Sequence, residues 1–127
     1  MSNALTKDAI LSANDIERER VEVPEWGGYV WVRGMTGEER DAFEAGLVER
    51  KGKSRELNFK NMRASLVAKT VVNDGGERLF DDNDVKRLGQ KSAAALDRLY
   101  EVATRLSGIG EQDVEDLTET FQDEPDA

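Results

Sequence analysis

The chain has 127 residues and a net charge of −9, with 38% hydrophobic and 35% charged residues and neither cysteine nor histidine. It is long enough for one compact domain, but it cannot form disulfides or thiolate and imidazole metal sites, and it lacks the commonest general base near neutral pH. No stretch approaches the ~18 apolar residues of a membrane span, and the N-terminus does not resemble a signal peptide, so we expect a cytoplasmic protein. Because cysteine and histidine are missing, we expect it to be non-enzymatic and to bind no cofactor or metal.

The N-terminal part of the chain predicts a short helix followed by a β-hairpin. A capping threonine begins the predicted helix over Thr6–Ala13. Val21–Val23 alternates apolar and charged side chains as a half-buried strand does, and Pro24 should lie at its end because proline cannot donate to a strand ladder. Gly27–Gly28 predicts a tight turn with positive φ angles, and the β-branched and aromatic run Tyr29–Val32 predicts the returning strand.

The two tryptophans lie close to this predicted turn and receive different interpretations. Tryptophan anchors the core in most small domains, but it is also enriched at binding hot spots. Trp31 lies within a predicted strand, so we place it in the core. Trp26 lies beside the glycine pair, so we expect it to be more exposed and treat it as a candidate partner-binding residue.

The middle of the chain predicts two helices joined by a basic loop. Thr36 and Glu39 have the spacing of a capping box, and the helix that starts there should run to about Gly52. Basic residues cluster over Arg50–Arg63, which favours a mobile loop, with a docking site for an acidic partner or for the chain's own tail as the alternative. The next helix is amphipathic, with an apolar stripe made of Phe59, Met62, Leu66 and Val67.

The C-terminal half predicts mainly helices. Val71–Val72 and Leu79–Phe80 flank a glycine-rich turn and predict a very short second hairpin. Asp82–Leu88 should form one or two helical turns, and a long core helix should start after Ser92 and stop at Gly108. Together these elements predict an α+β fold, in which one or two small N-terminal β-hairpins pack with about four to five α-helices and the C-terminal half is helix-rich.

The end of the chain is strongly acidic. Residues 111–127 contain eight acids and no base, so they oppose binding to nucleic acids and acidic membranes. We therefore divide the chain into a globular α/β domain over residues 1–110 and an acidic amphipathic helix with a disordered tail over residues 111–127. An apolar stripe on this helix could complete the domain or dock in a partner's groove, and both interpretations stay open. The candidate partner-binding residues of the stripe are Val114, Leu117 and Phe121.

Motifs for metal binding or catalysis fail at specific positions. Asp81–Asp84 resembles the start of a calcium loop, but Lys86 and Arg87 stand where a ligand and an obligatory glycine belong. A helix N-cap is the favoured interpretation of this acidic run. Gly108–Gly110 lacks the third glycine of a dinucleotide-binding motif and follows a helix instead of a strand. We therefore predict no catalytic, cofactor-binding or metal-binding residues.

Several segments of the chain, taken in order, carry a resemblance to a known family. They are Val23–Gly28, Val30, Val32, Arg33–Gly34 and Thr36–Asp41, and later Arg105–Gly110, which leads into the acidic helix. In their order and spacing, these segments resemble the tail assembly chaperones of long-tailed, siphovirus-type phages and prophages. The resemblance extends over most of the chain, from about Leu5 to Phe121.

The resemblance implies a small α/β protein of the host cytoplasm that is made late in infection. Members bind the long tape measure protein, keep its hydrophobic helices soluble, recruit tail tube subunits and leave before the virion is complete. We expect the same partners here, the tape measure protein and the major tail tube protein, together with self-association and without binding to nucleic acid or membranes. A structural virion protein, such as a head–tail connector or tail terminator, is the alternative function, and an acidic mimic of nucleic acid is a third.

Overall fold

The computed structural model describes residues 4–52, 54–57 and 61–109, and it describes only the backbone of 49–51 and 54–57. Helices and short strands share these ranges, which confirms the predicted α+β class and the helix-rich C-terminal half. The α-helices are α1 (Lys7–Ser12), α2 (Gly37–Gly46), α3 (Met62–Thr70), α4 (Val85–Leu88) and α5 (Ala93–Leu106). The strands are β1 (Arg18–Val23), β2 (Gly28–Arg33), β3 (Val48–Lys51), β4 (Ser54–Leu57) and β5 (Val71–Val72).

Three strands form an antiparallel sheet in the order β1-β2-β5. β1 pairs with β2 along its whole length, whereas β5 covers only Trp31 and Val32. Because side chains alternate between the two faces of a strand, Val21, Val23 and Val32 are buried in the core beside the helices. The same alternation places Tyr29 and Trp31 on the outer face of the sheet.

The turn between β1 and β2 is one turn of 3₁₀ helix over Pro24–Trp26, followed by Gly27. Gly27 has a φ of +78°, and its amide donates to the Pro24 carbonyl at 3.1 Å. The predicted glycine turn is therefore right for Gly27, which needs the left-handed conformation that glycine adopts without steric cost. The prediction of a positive φ is wrong for Gly28. This residue does not have a positive φ and is the first residue of β2. Pro24 lies at the end of β1, as predicted.

The capping box predicted for α2 is confirmed. The Glu39 amide donates to the Thr36 hydroxyl at 3.1 Å, and the Thr36 amide donates to the Glu39 carboxylate at 2.9 Å. The helix ends at Gly46, so the prediction that it runs to about Gly52 is wrong. Glycine is a poor residue for a helix interior, and the next residue, Leu47, is drawn into the core.

The basic segment after α2 is a β-hairpin instead of the predicted loop. β3 and β4 pair antiparallel, with Val48 opposite Leu57 and Lys51 opposite Ser54. Gly52 lies between them with a φ of +65°, a conformation that suits a tight hairpin turn. The sequence of this segment carries no apolar alternation that would have indicated these strands.

α3 packs its apolar face into the core, as the stripe predicts. Leu66 and Val67 are fully buried, and Met62 packs against the core cluster from the first turn. The hydroxyl of Thr70, which is also buried, donates to the Leu66 carbonyl at 2.8 Å and so has a partner within the helix. Phe59, the first residue of the predicted stripe, lies outside the described residues.

The predicted hairpin over Val71–Phe80 is only partly right. Val71–Val72 does form a strand, β5, but its main partner is β2. On the returning side a single bridge joins Val72 to Arg78, and Leu79–Phe80 forms no strand. Both valines of β5 are buried, so pairing with the centre of the sheet gives them an apolar environment that a free hairpin would not provide.

The helical predictions between Asp82 and Gly108 are confirmed. A 3₁₀ turn over Asp82–Asp84 leads into α4, and the Asp81 carboxylate accepts from a backbone amide of that turn at 2.8 Å, which is the helix cap favoured over a calcium loop. The Ser92 hydroxyl caps α5, and Gly108, with a φ of +73°, follows its end. The buried face of α5 consists of Ala95, Leu96, Leu99 and Ala103.

Candidate protein-binding surface

The first helix exposes apolar side chains to solvent. α1 is well formed, since the Ala9 amide donates to the Thr6 hydroxyl at 3.2 Å, yet none of its residues is buried. Leu5, Ile10 and Leu11 are 71%, 55% and 74% exposed, and we call these three residues the α1 ridge. The exposure of apolar side chains to water is unfavourable, and contact with another molecule would remove this cost. The α1 ridge is therefore a candidate contact surface.

The outer face of the sheet carries a second exposed group of apolar side chains. Trp31 is half-buried and stands outside the core cluster, so the prediction that it is a core residue is wrong. The alternation of β2 directs Val32 inward and Trp31 outward. The Trp31 indole donates to a carboxylate oxygen of Asp74 at 2.7 Å, and the Tyr29 hydroxyl donates to the same oxygen at 3.3 Å.

Two arginines of β1 stack on these aromatic rings. The guanidinium carbon of Arg18 lies 4.3 Å from the centre of the Trp31 ring, and that of Arg20 lies 3.9 Å from the centre of the Tyr29 ring. The two rings meet edge to face, with centroids 6.5 Å apart and planes at 86°. Each exposed cation–π contact contributes about 0.5–1 kcal/mol, so these contacts hold the rings in place. The result is an ordered surface of aromatic rings bordered by positive charge.

Trp26 lies at the tip of the β1–β2 hairpin and is 37% exposed, as the sequence predicts. The neighbouring Glu25 receives two hydrogen bonds from Arg98 of α5, at 2.8 and 3.0 Å, which join the turn to the helix. The hydrogen bonds from the Arg98 guanidinium lower the pKa of Glu25 below its ordinary value. Trp26 is therefore presented on an anchored turn, and its role in partner binding stays a prediction.

A shallow cleft of about 200 Å³ adjoins the outer face where β5 ends. Its apolar lining includes Leu79, which is 48% exposed, and its polar lining includes Asn73 and Asp74. Tyr29 and Trp31 form the opposite side. A cleft that combines exposed aromatic and aliphatic side chains with a few polar groups suits the side chain of a protein partner better than reaction chemistry.

The ionisable group with the largest pKa shift serves the fold. Glu39 receives two hydrogen bonds of 2.7 Å from Arg33, at the end of β2, in addition to its capping contact with Thr36. The Arg33 guanidinium, opposed by partial burial, lowers the pKa of Glu39 to about 2. The pair fastens the start of α2 to the sheet, and its two opposite charges neutralise each other.

The described part of the chain contains no evident metal centre. In residues 4–52, 54–57 and 61–109, no three acidic residues are grouped as metal ligands. A search of the same ranges finds no helix with the length and apolar character needed to cross a bilayer. Its most distinctive chemical feature is therefore exposed apolar and aromatic surface.

One part of this surface is predictable from the sequence and another is not. Trp26 is exposed as predicted, whereas Val114, Leu117 and Phe121 lie outside the described residues, as do the predicted helix and tail of residues 111–127. The α1 ridge was missed because an amphipathic pattern predicts a buried face, and only the tertiary structure shows that no described residue buries this one. The isolation of a short apolar helix before the polar segment Asn14–Asp15 is the signal that could have revealed it.

A family model and a solved structure match this chain. The family model described as "Phage tail assembly chaperone" matches residues 5–120. A solved structure described as "Structure of bacteriophage HK97 tail assembly chaperone" superposes with a TM-score of 0.55 at 18% identity, covering 72% of this chain and 85% of that one, which shows a shared fold. No curated protein sequence matches the chain. Because the family model spans most of the sequence, the chain belongs to the phage tail assembly chaperone family.

Proposed function

We propose that this protein binds the tape measure protein and tail tube subunits in the host cytoplasm while the tail assembles. It acts without catalysis, associates with itself, binds neither nucleic acid nor membranes, and leaves before the virion is complete. Membership of the tail assembly chaperone family supports the general role. The observation that supports the binding mode is the α1 ridge, in which three large apolar side chains are exposed to water.

The physical requirements of such a chaperone match this surface. A chaperone that uses no nucleotide must hold a hydrophobic client through apolar surface of its own, and it must carry enough charge to keep the complex soluble. The α1 ridge and the exposed rings beside Leu79 provide the apolar surface, and the net charge of −9 provides the solubility. A tape measure helix with an apolar face could cover the ridge along its length.

We assign the contacts to three surfaces. The α1 ridge and Trp26 lie on described elements, while the stripe formed by Val114, Leu117 and Phe121 remains a sequence-based proposal. Aromatic residues such as Trp26 dominate binding energy in many interfaces because they bury a large area with few rotatable bonds. We therefore expect substitutions in these surfaces to weaken partner binding without unfolding the protein.

Co-expression with the tape measure protein tests the proposal. The wild-type chain should yield a soluble complex, and Leu11→Glu, which places a charge on the α1 ridge, should reduce the recovered tape measure protein several-fold. Ala9→Glu is the matched control, since it adds the same charge to the same exposed helix and leaves the ridge intact. A tape measure protein that stays insoluble and unbound with the wild-type chain would contradict the proposed function.

Mass spectrometry of purified phage particles distinguishes the alternative. A head–tail connector or tail terminator is part of the particle and should be detected in stoichiometric amounts. A chaperone that leaves during assembly should be absent from particles and present in lysates of infected cells. Detection of the chain at particle stoichiometry would therefore replace the chaperone proposal with a structural one.

A further inference from the structure

A second cleft, of about 300 Å³, lies beside α4 and shares Leu79 with the cleft at the outer face of the sheet. Its apolar part is made by Leu79, Phe80 and Leu88, of which Leu79 is exposed and Leu88 buried. Its charged part is made by Asp84, Arg87 and Lys91. We call it the α4 cleft. Its volume lies at the lower end of the range for binding pockets, ~300–1,000 Å³.

The positive charge around the α4 cleft is not neutralised by nearby carboxylates. Most cations with described side chains, for example Arg98 and Arg105, form ion pairs. Lys86, Arg87 and Lys91 have no ionic partner among the residues whose side chains are described.

Asp84, the acidic residue that lines the cleft, leaves an excess of positive charge there. The Asp84 carboxylate accepts from the Asp81 amide at 3.0 Å and so already serves the cap of the preceding turn. One acid stands against three cations, Lys86, Arg87 and Lys91, in and just after α4. Unneutralised cations beside an apolar floor suit a segment that is both acidic and apolar.

We propose that residues 111–127 of this chain fold back and dock in the α4 cleft, with Phe121 as the apolar anchor. This segment carries eight acids and no base, which complements the three cations. Phe121 has acidic neighbours on both sides, at Glu119 and at Asp123, so its ring can enter the cleft while carboxylates meet Arg87 and Lys91. The proposal concerns the free protein and does not depend on tape measure binding.

The length of the chain beyond the described residues permits this contact. The α4 cleft adjoins the N-terminal end of α5 and Ile109 follows its C-terminal end, so the two are about 21 Å apart, from 14 residues at 1.5 Å each. The twelve residues from Ile109 to Phe121 span ~18 Å as a helix and up to ~40 Å when extended. Val114 is only five residues from Ile109 and reaches at most ~17 Å. Phe121 can therefore reach the α4 cleft, whereas Val114 cannot.

Docking within one chain has a consequence for regulation. Attachment to the same molecule gives the segment an effective concentration in the millimolar range, so weak contacts are sufficient. While docked, Phe121 is unavailable to a partner, and a partner must displace it or wait for its release. The contact depends on charge, so it should weaken as salt shortens the screening length from ~10 Å at 0.1 M to ~3 Å at 1 M.

A nitroxide placed beside the cleft in the full chain tests the proposal by NMR. The chain has no native cysteine, so Gln90→Cys gives one labelling site at an exposed position. The amide signals of residues 119–124 should lose most of their intensity relative to the reduced, diamagnetic label. The Arg87→Glu/Lys91→Glu double variant should restore them, and so should high salt. Lys7→Glu, which reverses an exposed cation on α1, is the matched control and should leave the loss unchanged.

Several outcomes would overturn the proposal. The first is full intensity for residues 119–124 beside the label, and the second is an equal loss in the double variant. A loss seen only between labelled and unlabelled molecules in a mixture would place the segment on a second copy. A label at Ser54→Cys that broadens residues 119–124, when Gln90→Cys does not, would place the contact on the basic β3–β4 hairpin. Backbone spectra with unchanged dispersion exclude unfolding of the variants.

Discussion

The Arg33–Glu39 pair joins the end of β2 to the first turn of α2, and we expect its charge to contribute to stability. Glu39→Gln should lower the free energy of unfolding at neutral pH by about 2 kcal/mol, because glutamine can keep the capping hydrogen bond but loses the charged one. The folded-state pKa of about 2 lies below the ordinary value of 4.5, so the pair stabilises the fold fully above pH 4.5 and this stabilisation disappears as the pH falls toward 2. Urea unfolding across this window measures the effect, which the variant should lack.

Glu44→Gln is the matched control for this prediction. Glu44 lies on the same helix and pairs with Arg40 at 3.1 Å, but both side chains are about one-third exposed. Ion pairs of this kind on helix surfaces contribute ~0.3–0.5 kcal/mol because water and salt screen them. Equal losses of stability in Glu39→Gln and Glu44→Gln would show that partial burial and bidentate geometry add nothing to the Arg33–Glu39 pair.

Gly34, the residue after β2, lies against the C-terminal end of α5. A Cβ atom at this position would lie 2.6 Å from the backbone oxygen of Leu106, so a larger side chain must push the helix end away. The adjacent Met35 amide donates to the Ser107 hydroxyl at 2.9 Å, and this contact would be disturbed too. Gly34→Ala should therefore lower the free energy of unfolding by about 1–3 kcal/mol in thermal or urea unfolding.

Gly37→Ala provides the comparison for Gly34→Ala. Gly37 is the first residue of α2, it has no positive φ, and an added Cβ would meet nothing within 4 Å. Alanine at such a site reduces the number of backbone conformations open to the unfolded chain and causes no strain in the folded one. The free energy of unfolding should therefore stay equal or rise by up to ~1 kcal/mol. Similar losses in both variants would mean that the close approach to Leu106 is not what requires glycine at Gly34.

At the scale of elements, α1 differs from the other helices because it has no buried residue. Replacing Ile10 and Leu11 together with serine should leave the free energy of unfolding within about 0.5 kcal/mol of wild type, as expected for exposed positions. The same double variant should still reduce recovery of the tape measure protein. A loss of about 2 kcal/mol or more, typical of truncation in a core, would instead show that α1 packs on the domain in solution.

Local sequence patterns did not predict the β3–β4 hairpin. Its charged residues suggested a loop, because basic runs without apolar alternation are usually solvated. The structure pairs Val48 with Leu57 and places Gly52 in the left-handed conformation at the turn. The glycine within this polar run was therefore a sequence feature that could have indicated a turn. Strand pairing through backbone hydrogen bonds requires no particular side chains, so the composition of the segment did not indicate the strands.

At the scale of the molecule, the sheet and helices α2 to α5 share one core, in which Leu66, Leu99 and Val32 are fully buried. Leu99→Ala should lower the free energy of unfolding by about 3 kcal/mol, because it removes buried methyl groups and leaves a cavity. Leu79→Ala is the control, since Leu79 is 48% exposed and should cost far less. Chemical unfolding followed by tryptophan fluorescence measures both, and equal losses would contradict this assignment of the core.

The sequence by itself determined the starts of α1, α2 and α5, the burial of the α3 and α5 faces, and the family. A capping side chain bonds to backbone amides no more than three residues away. The apolar face of a helix follows from residues spaced three or four apart. Both features therefore depend on residues that are close together in the chain. The resemblance in segment order also came from the sequence, and the match over residues 5–120 confirms it.

Only the tertiary structure decided which apolar surfaces stay in water. Alternation along β2 places Trp31 and Val32 on opposite faces, and the packing of the helices buries the Val32 face. The Trp31 indole instead meets Asp74, which lies 43 positions away in the chain. The α1 ridge is exposed because no distant element covers it in the described structure. A local pattern can show which face of an element is apolar, but whether another element covers that face depends on contacts between residues far apart in sequence. For this family member, the candidate binding surface therefore had to be read from the folded chain.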